Sequence, residues 1–157
     1  MEKNQTPEVA FFMSNLQGGG AERVMVNLAK SLSEHTLKVD FVLAKAEGLY
    51  LSDLPSSINV VDLQCKRTRY AISPLSSYLR QRAPRVLISG LHQANLVAVI
   101  AKKRSSSNLR LVVTIHSQMS EEMIHTPGLT GKFIPLLVRV FYPKADKIIC
   151  VSNGVAQ

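Results

Sequence analysis

Val9-Ala10-Phe11-Phe12-Met13-Ser14-Asn15-Leu16-Gln17-Gly18-Gly19-Gly20-Ala21-Glu22-Arg23-Val24 is the stretch on which the fold turns. An apolar run, Val9 to Met13, leads through three consecutive glycines into a helical pattern that starts at Ala21. The order reads as a strand, a loop that a ligand can approach, and a helix N-terminus. Glycine lets the backbone turn tightly and lets a ligand come close, and the N–H groups that open a helix favour an anion, typically phosphate. A dinucleotide fingerprint would need a third glycine where Arg23 stands and an acidic residue closing the second strand, which ends at Leu43-Ala44. A P-loop would need Lys followed by Ser or Thr after the last glycine, and Ala21-Glu22 follows instead. A nucleotide-type or phosphorylated ligand of another kind is expected, although a tight turn that binds nothing would carry the same glycines.

The helical spacing puts Ala21, Val24, Met25, Leu28, Ala29 and Leu32 on one face, to be packed on a sheet. Glu22, Arg23, Asn27, Lys30 and Glu34 fall on the other. Glu22 lies in the first turn, where the helix dipole favours a carboxylate by roughly 0.3–1 kcal/mol.

Outward from this stretch the pattern alternates between strand and helix. It predicts strands at Leu37 to Ala44, Asn59 to Leu63, Arg85 to Ser89, Leu109 to Ile115 and Lys147 to Val151. It predicts helices at about Pro74 to Arg82 and Gln93 to Arg104. Val86-Leu87-Ile88 and Leu111-Val112-Val113 are continuously apolar, as strands of a parallel sheet covered on both faces must be. Leu96 to Ala101 is apolar nearly all round and should be buried on more than one side, with Lys102-Lys103-Arg104 suiting the helix C-terminus. The fold class is α/β, a Rossmann-like parallel sheet with helices on both faces. At 157 residues and 46% hydrophobic, residues 1–157 are expected to form a single domain, cut short at its C-terminal end where Val155-Ala156-Gln157 would open a further helix.

The polar start, Met1 to Glu8, and the interruption of Phe133 to Tyr142 by Pro135 and Arg139 point to a protein that is neither secreted nor transmembrane. Cys65 and Cys150 have no metal-ligand spacing, so a reduced, cytoplasmic protein is expected, with Cys150 in the core. The net charge is +8, and no carboxylate occurs between Asp62 and Glu121. Lys66, Arg67, Arg69, Arg80, Arg82, Arg85, Lys102, Lys103, Arg104 and Arg110 all fall in that interval. Such a bias suits an anionic membrane surface, at ~1 kcal/mol per basic residue, or a phosphorylated substrate. A solvated basic face without a partner would look the same. Nucleic acid is disfavoured, because aromatics are only 6% and no basic-aromatic module is present.

In an open parallel sheet, ligands bind beyond the carboxyl ends of the strands. Those ends carry Gly18, Gly19 and Gly20, then Ser89-Gly90 with His92 and Asn95, then His116-Ser117, then Ser152-Asn153-Gly154. They are expected to converge on one cleft.

Gly18-Gly19-Gly20-Ala21-Glu22-Arg23-Val24, Thr114-Ile115-His116-Ser117 and Ala145-Asp146-Lys147-Ile148-Ile149-Cys150-Val151-Ser152 together resemble the N-terminal domain of the family 4 glycosyltransferases. The resemblance covers nearly the whole chain. It departs at Ala83-Pro84-Arg85-Val86, where Arg85 replaces the Asp of the usual Pro-Asp pair, and the second strand lacks its usual preceding Gly. It implies one half of a GT-B fold, in an enzyme that moves a sugar from a nucleotide-sugar, UDP- or GDP-linked, to an acceptor with retention. In that family the N-terminal half chiefly holds the acceptor. The resemblance places Gly18 to Gly20 against the donor phosphates and transferring sugar, and makes His116 the catalytic histidine beside the donor sugar. Ser89, His92, Asn95, Ser117, Ser152 and Asn153 are acceptor-side or cleft candidates. A leaving diphosphate calls for fixed positive dipoles and an oriented acceptor hydroxyl rather than a nucleophile. With no Asp-x-Asp motif, no metal and no cofactor are expected.

The family's diphosphate-binding Arg/Lys pair and its ribose- and sugar-binding Glu pair lie in a C-terminal domain that residues 1–157 do not include, so this chain alone is expected to transfer no sugar. The basic stretch and the apolar segment Gly131 to Tyr142, with Lys132, Arg139 and Lys144, suggest a saccharide or lipid-linked acceptor at the inner face of the cell membrane, in cell-surface polysaccharide or glycolipid synthesis. A core helix whose few charges snorkel to water would read alike. The rival readings are a non-catalytic acceptor-binding subunit of a split glycosyltransferase, with its donor-binding half on a partner chain, and a stand-alone nicotinamide-binding domain.

Overall fold

The computed structural model describes residues 6–116 and 139–150. All five residues of β1 (Val9–Met13) and of β2 (Val39–Leu43) are buried, so neither strand has a face to spare for water. Each must lie inside a sheet covered on both sides. β1 pairs in parallel with β2, Val9 opposite Val39 through Met13 opposite Leu43, and on its other edge with β4 (Val86–Gly90). With β3 (Asn59–Asp62), β5 (Arg110–Ile115) and β6 (Lys147–Cys150), the sheet is six-stranded, in the order β3-β2-β1-β4-β5-β6.

Alternate residues of β1 serve two cores. Val9, Phe11 and Met13 pack with Phe41, Leu43 and the buried residues of α1 (Gly20–Glu34), and the Phe11 and Phe41 rings stack at 5.5 Å. Ala10 and Phe12 join Leu87, Leu111 and Val113 beneath α2 (Ile72–Arg82) and α3 (His92–Ser105). α3 is buried at Ala94, Val97, Ala98, Val99 and Ala101, as its nearly all-apolar sequence requires. α2 starts two residues before Pro74, after a 3-10 turn at Thr68–Ala71. Proline is tolerated there, because N–H groups in a first helical turn have no intrahelical acceptor. The helix stops at Ala83, which adopts a left-handed conformation and precedes Pro84.

Three expectations need correction. The buried face of α1 is Glu22, Met25, Val26 and Ala29, while Val24 and Leu28 are exposed, so the helix is rotated from the stripe read in its sequence and Glu22 faces inward. Cys150 is only partly buried, because β6 is an edge strand with Ile148 and Ile149 exposed; the buried cysteine is Cys65. β2 begins at Val39 rather than Leu37, where the chain is still leaving the α1 terminus.

Two polar clamps hold the layers in place. Asp40, buried on β2, accepts hydrogen bonds from Tyr78 Oη at 2.7 Å, Arg82 Nε at 3.3 Å and Asn59 Nδ2 at 3.1 Å, tying β2 to α2 and β3. Burial and the neighbouring Asp40 carboxylate push the Tyr78 phenol far above its ordinary range, so it serves as a donor throughout. Asp146 joins three elements: it accepts from Lys102 Nζ of α3 at 2.5 Å and from the Leu111 N–H of β5 at 2.6 Å, just ahead of β6. Its carboxyl is held below the ordinary range, first by Lys102 and then by the Leu111 N–H. The Ala145-Asp146 part of the third sequence motif therefore has a structural duty at this junction.

Removing Arg82 would leave the Asp40 carboxylate buried with less compensation. Arg82→Ala is expected to lower unfolding free energy by about 3 kcal/mol in urea titration. Arg80→Ala, whose guanidinium among the described residues bonds the Ser77 hydroxyl alone, is expected to change it by less than about 0.5 kcal/mol. Equal effects of the two would contradict this role for Asp40.

Candidate functional site

β1 and β4 are neighbours, yet the chain leaves β1 toward β2 on one side and continues from β4 toward β5 on the other. Such a reversal opens a crevice beyond the carboxyl ends of the two strands. The glycine loop stands on one side of it. Gly18 has φ +123°, a conformation that side chains rarely adopt, and Gly19 caps α1 through its backbone, its carbonyl accepting the Arg23 N–H at 3.1 Å. The connection from β2 to β3 braces this loop: Leu16 N–H donates to Glu47 O at 2.9 Å, and Tyr50 N–H donates to Leu16 O at 3.2 Å. Gly48, φ +121°, lies so close to the Leu16 carbonyl that no side chain fits.

Glu22 projects back from the first turn of α1 over Gly19, where its carboxylate occupies the space that any side chain at Gly19 would need. It is 9% exposed and makes no hydrogen bond or ion pair among the described residues. One turn further along the same face, Met25 Sδ lies 3.8 Å from Thr114 Oγ1 of β5.

Thr114 organises the other side of the crevice. Its hydroxyl donates to Ser89 O at 2.9 Å, so toward His116 Nε2, also at 2.9 Å, it can only accept. That fixes the hydrogen of the neutral imidazole on Nε2 and leaves Nδ1 as an acceptor. His116 is half-buried; burial pushes its pKa below the ordinary 6.5, while the nearby Glu22 carboxylate works in the opposite direction.

Between these groups the backbone is crowded and strained. A side chain at Gly90 would meet Met13 Sδ at 3.0 Å and Thr114 Oγ1 at 3.1 Å. Leu91, with φ 69° and ψ 144°, occupies a region of about 1–3 kcal/mol cost for a non-glycine residue. Beneath it, Asn95 Nδ2 donates to Thr114 O at 3.0 Å and to Tyr142 Oη at 3.2 Å, and Tyr142 Oη lies 2.5 Å from His92 Nδ1.

Gly18, Gly19, Gly20, Ser89, His92, Asn95 and His116 thus gather at one sheet edge. They do not share one role. Ser89 and Asn95 are fully buried and His92 is 6% exposed, so these three support the edge from below, whereas the glycine loop and His116 border the crevice. Ser89 Oγ and Asn95 Oδ1 have no hydrogen-bond partner among the described residues. Ser117, Ser152 and Asn153 lie outside the described residues, as does most of Gly131 to Tyr142. Glu22, Thr114, Tyr142 and Gly48 were missed as site residues. Glu22 could have been found, since it stands three and four residues before Met25 and Val26 on the buried face. A concavity of about 430 Å³ at the opposite edge of the sheet, lined by Arg80, Arg85 and Ser105–Asn108, is remote from all these groups. Among the described residues no cluster of His, Cys, Asp and Glu could hold a metal ion.

The family model described as Glycosyltransferase Family 4 matches residues 18–157. Among curated proteins, no sequence matches the chain. Among solved structures, the chain is similar to "lipopolysaccharide outer core galactosyltransferase WaaB apo form", with a TM-score of 0.65 and 16% identity over 94% of this chain and 40% of that one. It is also similar to Anabaena Alr3699/HepE in complex with UDP and glucose, with a TM-score of 0.63 and 20% identity over 95% of this chain and 39% of that one. The chain therefore spans about two fifths of the length of these structures.

A depressed His116 pKa means that the folded protein holds this proton less tightly than the unfolded chain. Stability from this group is complete above pH 6.5 and falls as the pH drops through the window between 6.5 and the lower native value. In urea titrations across that window, wild type is expected to lose more stability than His116→Gln. Titration of the His116 imidazole at or above 6.5, followed by NMR, would contradict the burial argument.

Proposed function

Because the chain belongs to glycosyltransferase family 4, we propose that it forms the acceptor-side half of a GT-B enzyme that transfers a sugar from a nucleotide-sugar to a saccharide or lipid-linked acceptor. The observation that carries this reading is the meeting of the Gly18–Gly20 loop and His116 across the β1/β4 crevice, on a domain that matches two fifths of two GT-B structures. HepE is described with UDP and glucose bound, and WaaB as a galactosyltransferase. The likeness to HepE supports a UDP-linked hexose as the donor, with a GDP-linked one as the alternative.

The half-site has clear chemical capacities. His116, fixed by Thr114 with Nδ1 as an acceptor, suits a sugar hydroxyl and holds it in one orientation. The leaving diphosphate would be met by dipoles and cations of the donor-binding half, so transfer needs both halves and proceeds without a metal and with retention. A cationic surface at the crevice edge supports an anionic acceptor or membrane. Lys66, Arg67 and Arg69 are exposed on the loop after β3, which Thr68 Oγ1 anchors to Ser14 Oγ at 2.8 Å. Other members of the basic stretch serve the fold, Arg82 on Asp40 and Lys102 on Asp146. Among the described residues no helix is long and apolar enough to cross a membrane. Attachment at the inner face of the cell membrane, in polysaccharide or glycolipid synthesis, is part of this proposal.

The test is release of nucleoside diphosphate from UDP- and GDP-hexoses by a protein that joins this chain to its donor-binding half. Acceptor-dependent release is expected. His116→Ala should lower kcat/KM by about 10²–10³-fold with the fold retained. The 157-residue chain alone should release none. Turnover by the chain alone, or full activity of His116→Ala, would overturn the reading.

A further inference from the structure

We infer that the amino-terminal edge of the sheet carries a second anion site, apart from the crevice, in which Arg80 and Arg85 seat a phosphate group and Ser106, Ser107 and Asn108 supply neutral donors. The inference goes beyond the glycosyltransferase reading and does not depend on it. Of the ten cations between Asp62 and Glu121, Arg82 and Lys102 are bound to Asp40 and Asp146, and Lys66, Arg67 and Arg69 stand near the crevice. Arg80, Arg85 and Lys103, with Lys144 from further along the chain, come together instead where β4 and β5 begin. The concavity of about 430 Å³ there is lined by Arg80, Arg85 and Ser105–Asn108. A second, of about 400 Å³, adjoins it across Ser106 and Ser107 and is lined by Lys102, Lys103 and Lys144. Among the described residues no carboxylate lines either one.

Cations in the last turn of a helix complement its dipole, which accounts for part of this charge. It covers Arg80 and Lys103 but not Arg85, just ahead of β4, or Lys144, in the 3-10 turn Tyr142–Lys144. The helix ends are also capped without them: Leu79 O accepts the Ala83 N–H at 3.1 Å, Lys102 O the Ser105 hydroxyl at 2.8 Å and Lys103 O the Ser106 N–H at 3.4 Å. Packing asks as little of the two arginines. Arg80 Nη2 donates to Ser77 Oγ at 3.1 Å, and Arg85, its side chain 81% exposed, lies 4.0 Å from Glu8 Oε1, a separation worth little at a surface. Two guanidinium groups present paired N–H donors in the geometry that phosphate oxygens accept, and a concave wall of one sign focuses the field on its occupant. Ser106 and Asn108 are exposed and Ser107 is half-buried, so their hydroxyl and amide hydrogens can complete the phosphate's bonds. Lys103 and Lys144 next door suit a second phosphate of the same ligand. A soluble phosphorylated metabolite and a phospholipid headgroup share this chemistry. Because the crevice opens at the opposite end of the strands, a ligand held here anchors or regulates the domain and is not the reacting sugar.

Sodium pyrophosphate, titrated into the chain at constant ionic strength, is expected to move the Ser106, Ser107 and Asn108 amide NMR signals saturably. Arg80→Ala combined with Arg85→Ala should weaken that response about tenfold or more, as for loss of hydrogen bonds to a charged group, with the amide signals of β1 and β2 in their native places. Lys66→Ala combined with Arg67→Ala and Arg69→Ala, which removes as much charge from the crevice edge, should leave the response unchanged. Sedimentation with vesicles of equal parts phosphatidic acid and phosphatidylcholine identifies the source of the phosphate. Binding that is lost with Arg80 and Arg85 assigns it to a lipid headgroup, and absence of binding assigns it to a soluble ligand. A pyrophosphate response that rises linearly without saturation would reveal a diffuse cationic surface and overturn the proposal. So would no response, an undiminished response in the Arg80 and Arg85 variant, or an equal loss in the Lys66, Arg67 and Arg69 variant.

Discussion

Burial of β1 on both faces along its whole length is the constraint from which the rest of the structure follows. A strand with no polar face cannot border water, so β1 takes an inner place with β2 on one edge and β4 on the other. Its alternating side chains then need cover on both sides, which α1 supplies on one and α2 with α3 on the other. The connections from β1 and β4 diverge, and the crevice between their carboxyl ends follows from that divergence. The position of the site is a consequence of core packing.

The same logic explains which parts of the fold were legible in the sequence. Continuous apolar runs such as Val86-Leu87-Ile88 mark inner strands unambiguously, and their alternation with helical patterns leaves few topologies open. The phase of α1 was not legible. Two overlapping stripes, one that includes Val24 and Leu28 and one that includes Glu22 and Val26, share Met25 and Ala29, and the sequence favours the more apolar of the two. The helix takes the other, which turns Glu22 inward. The Asp40 clamp was hidden as well, because Tyr78 and Arg82 come from a helix far along the chain and nothing local marks them as its partners.

The site itself was half legible. Gly18 to Gly20 and His116 stand where strand ends meet the crevice, and their positions were readable from residue type and spacing. What holds them was not. Thr114 fixes the His116 tautomer, Gly48 lets the β2–β3 connection brace the glycine loop, and Tyr142 reaches His92 and Asn95 from beyond β5. The costs the fold carries gather in the same place: strain at Leu91, oxygens at Ser89 and Asn95 that have no partner among the described residues, and the inward-facing Glu22. Departures from an otherwise consistent apolar design, concentrated at one sheet edge, support the proposal that this edge holds the site.

The central claim is that α1 and the end of β5 act on one substrate from opposite sides of the crevice. A double-mutant cycle on Glu22→Gln and His116→Gln, read as kcat/KM in a protein that joins this chain to its donor-binding half, tests it most directly. The account predicts a coupling energy between about 0.5 and 3 kcal/mol, the range for residues that share a partner. Effects that add to within about 0.3 kcal/mol would mean that the two residues serve separate ends, and would contradict the account.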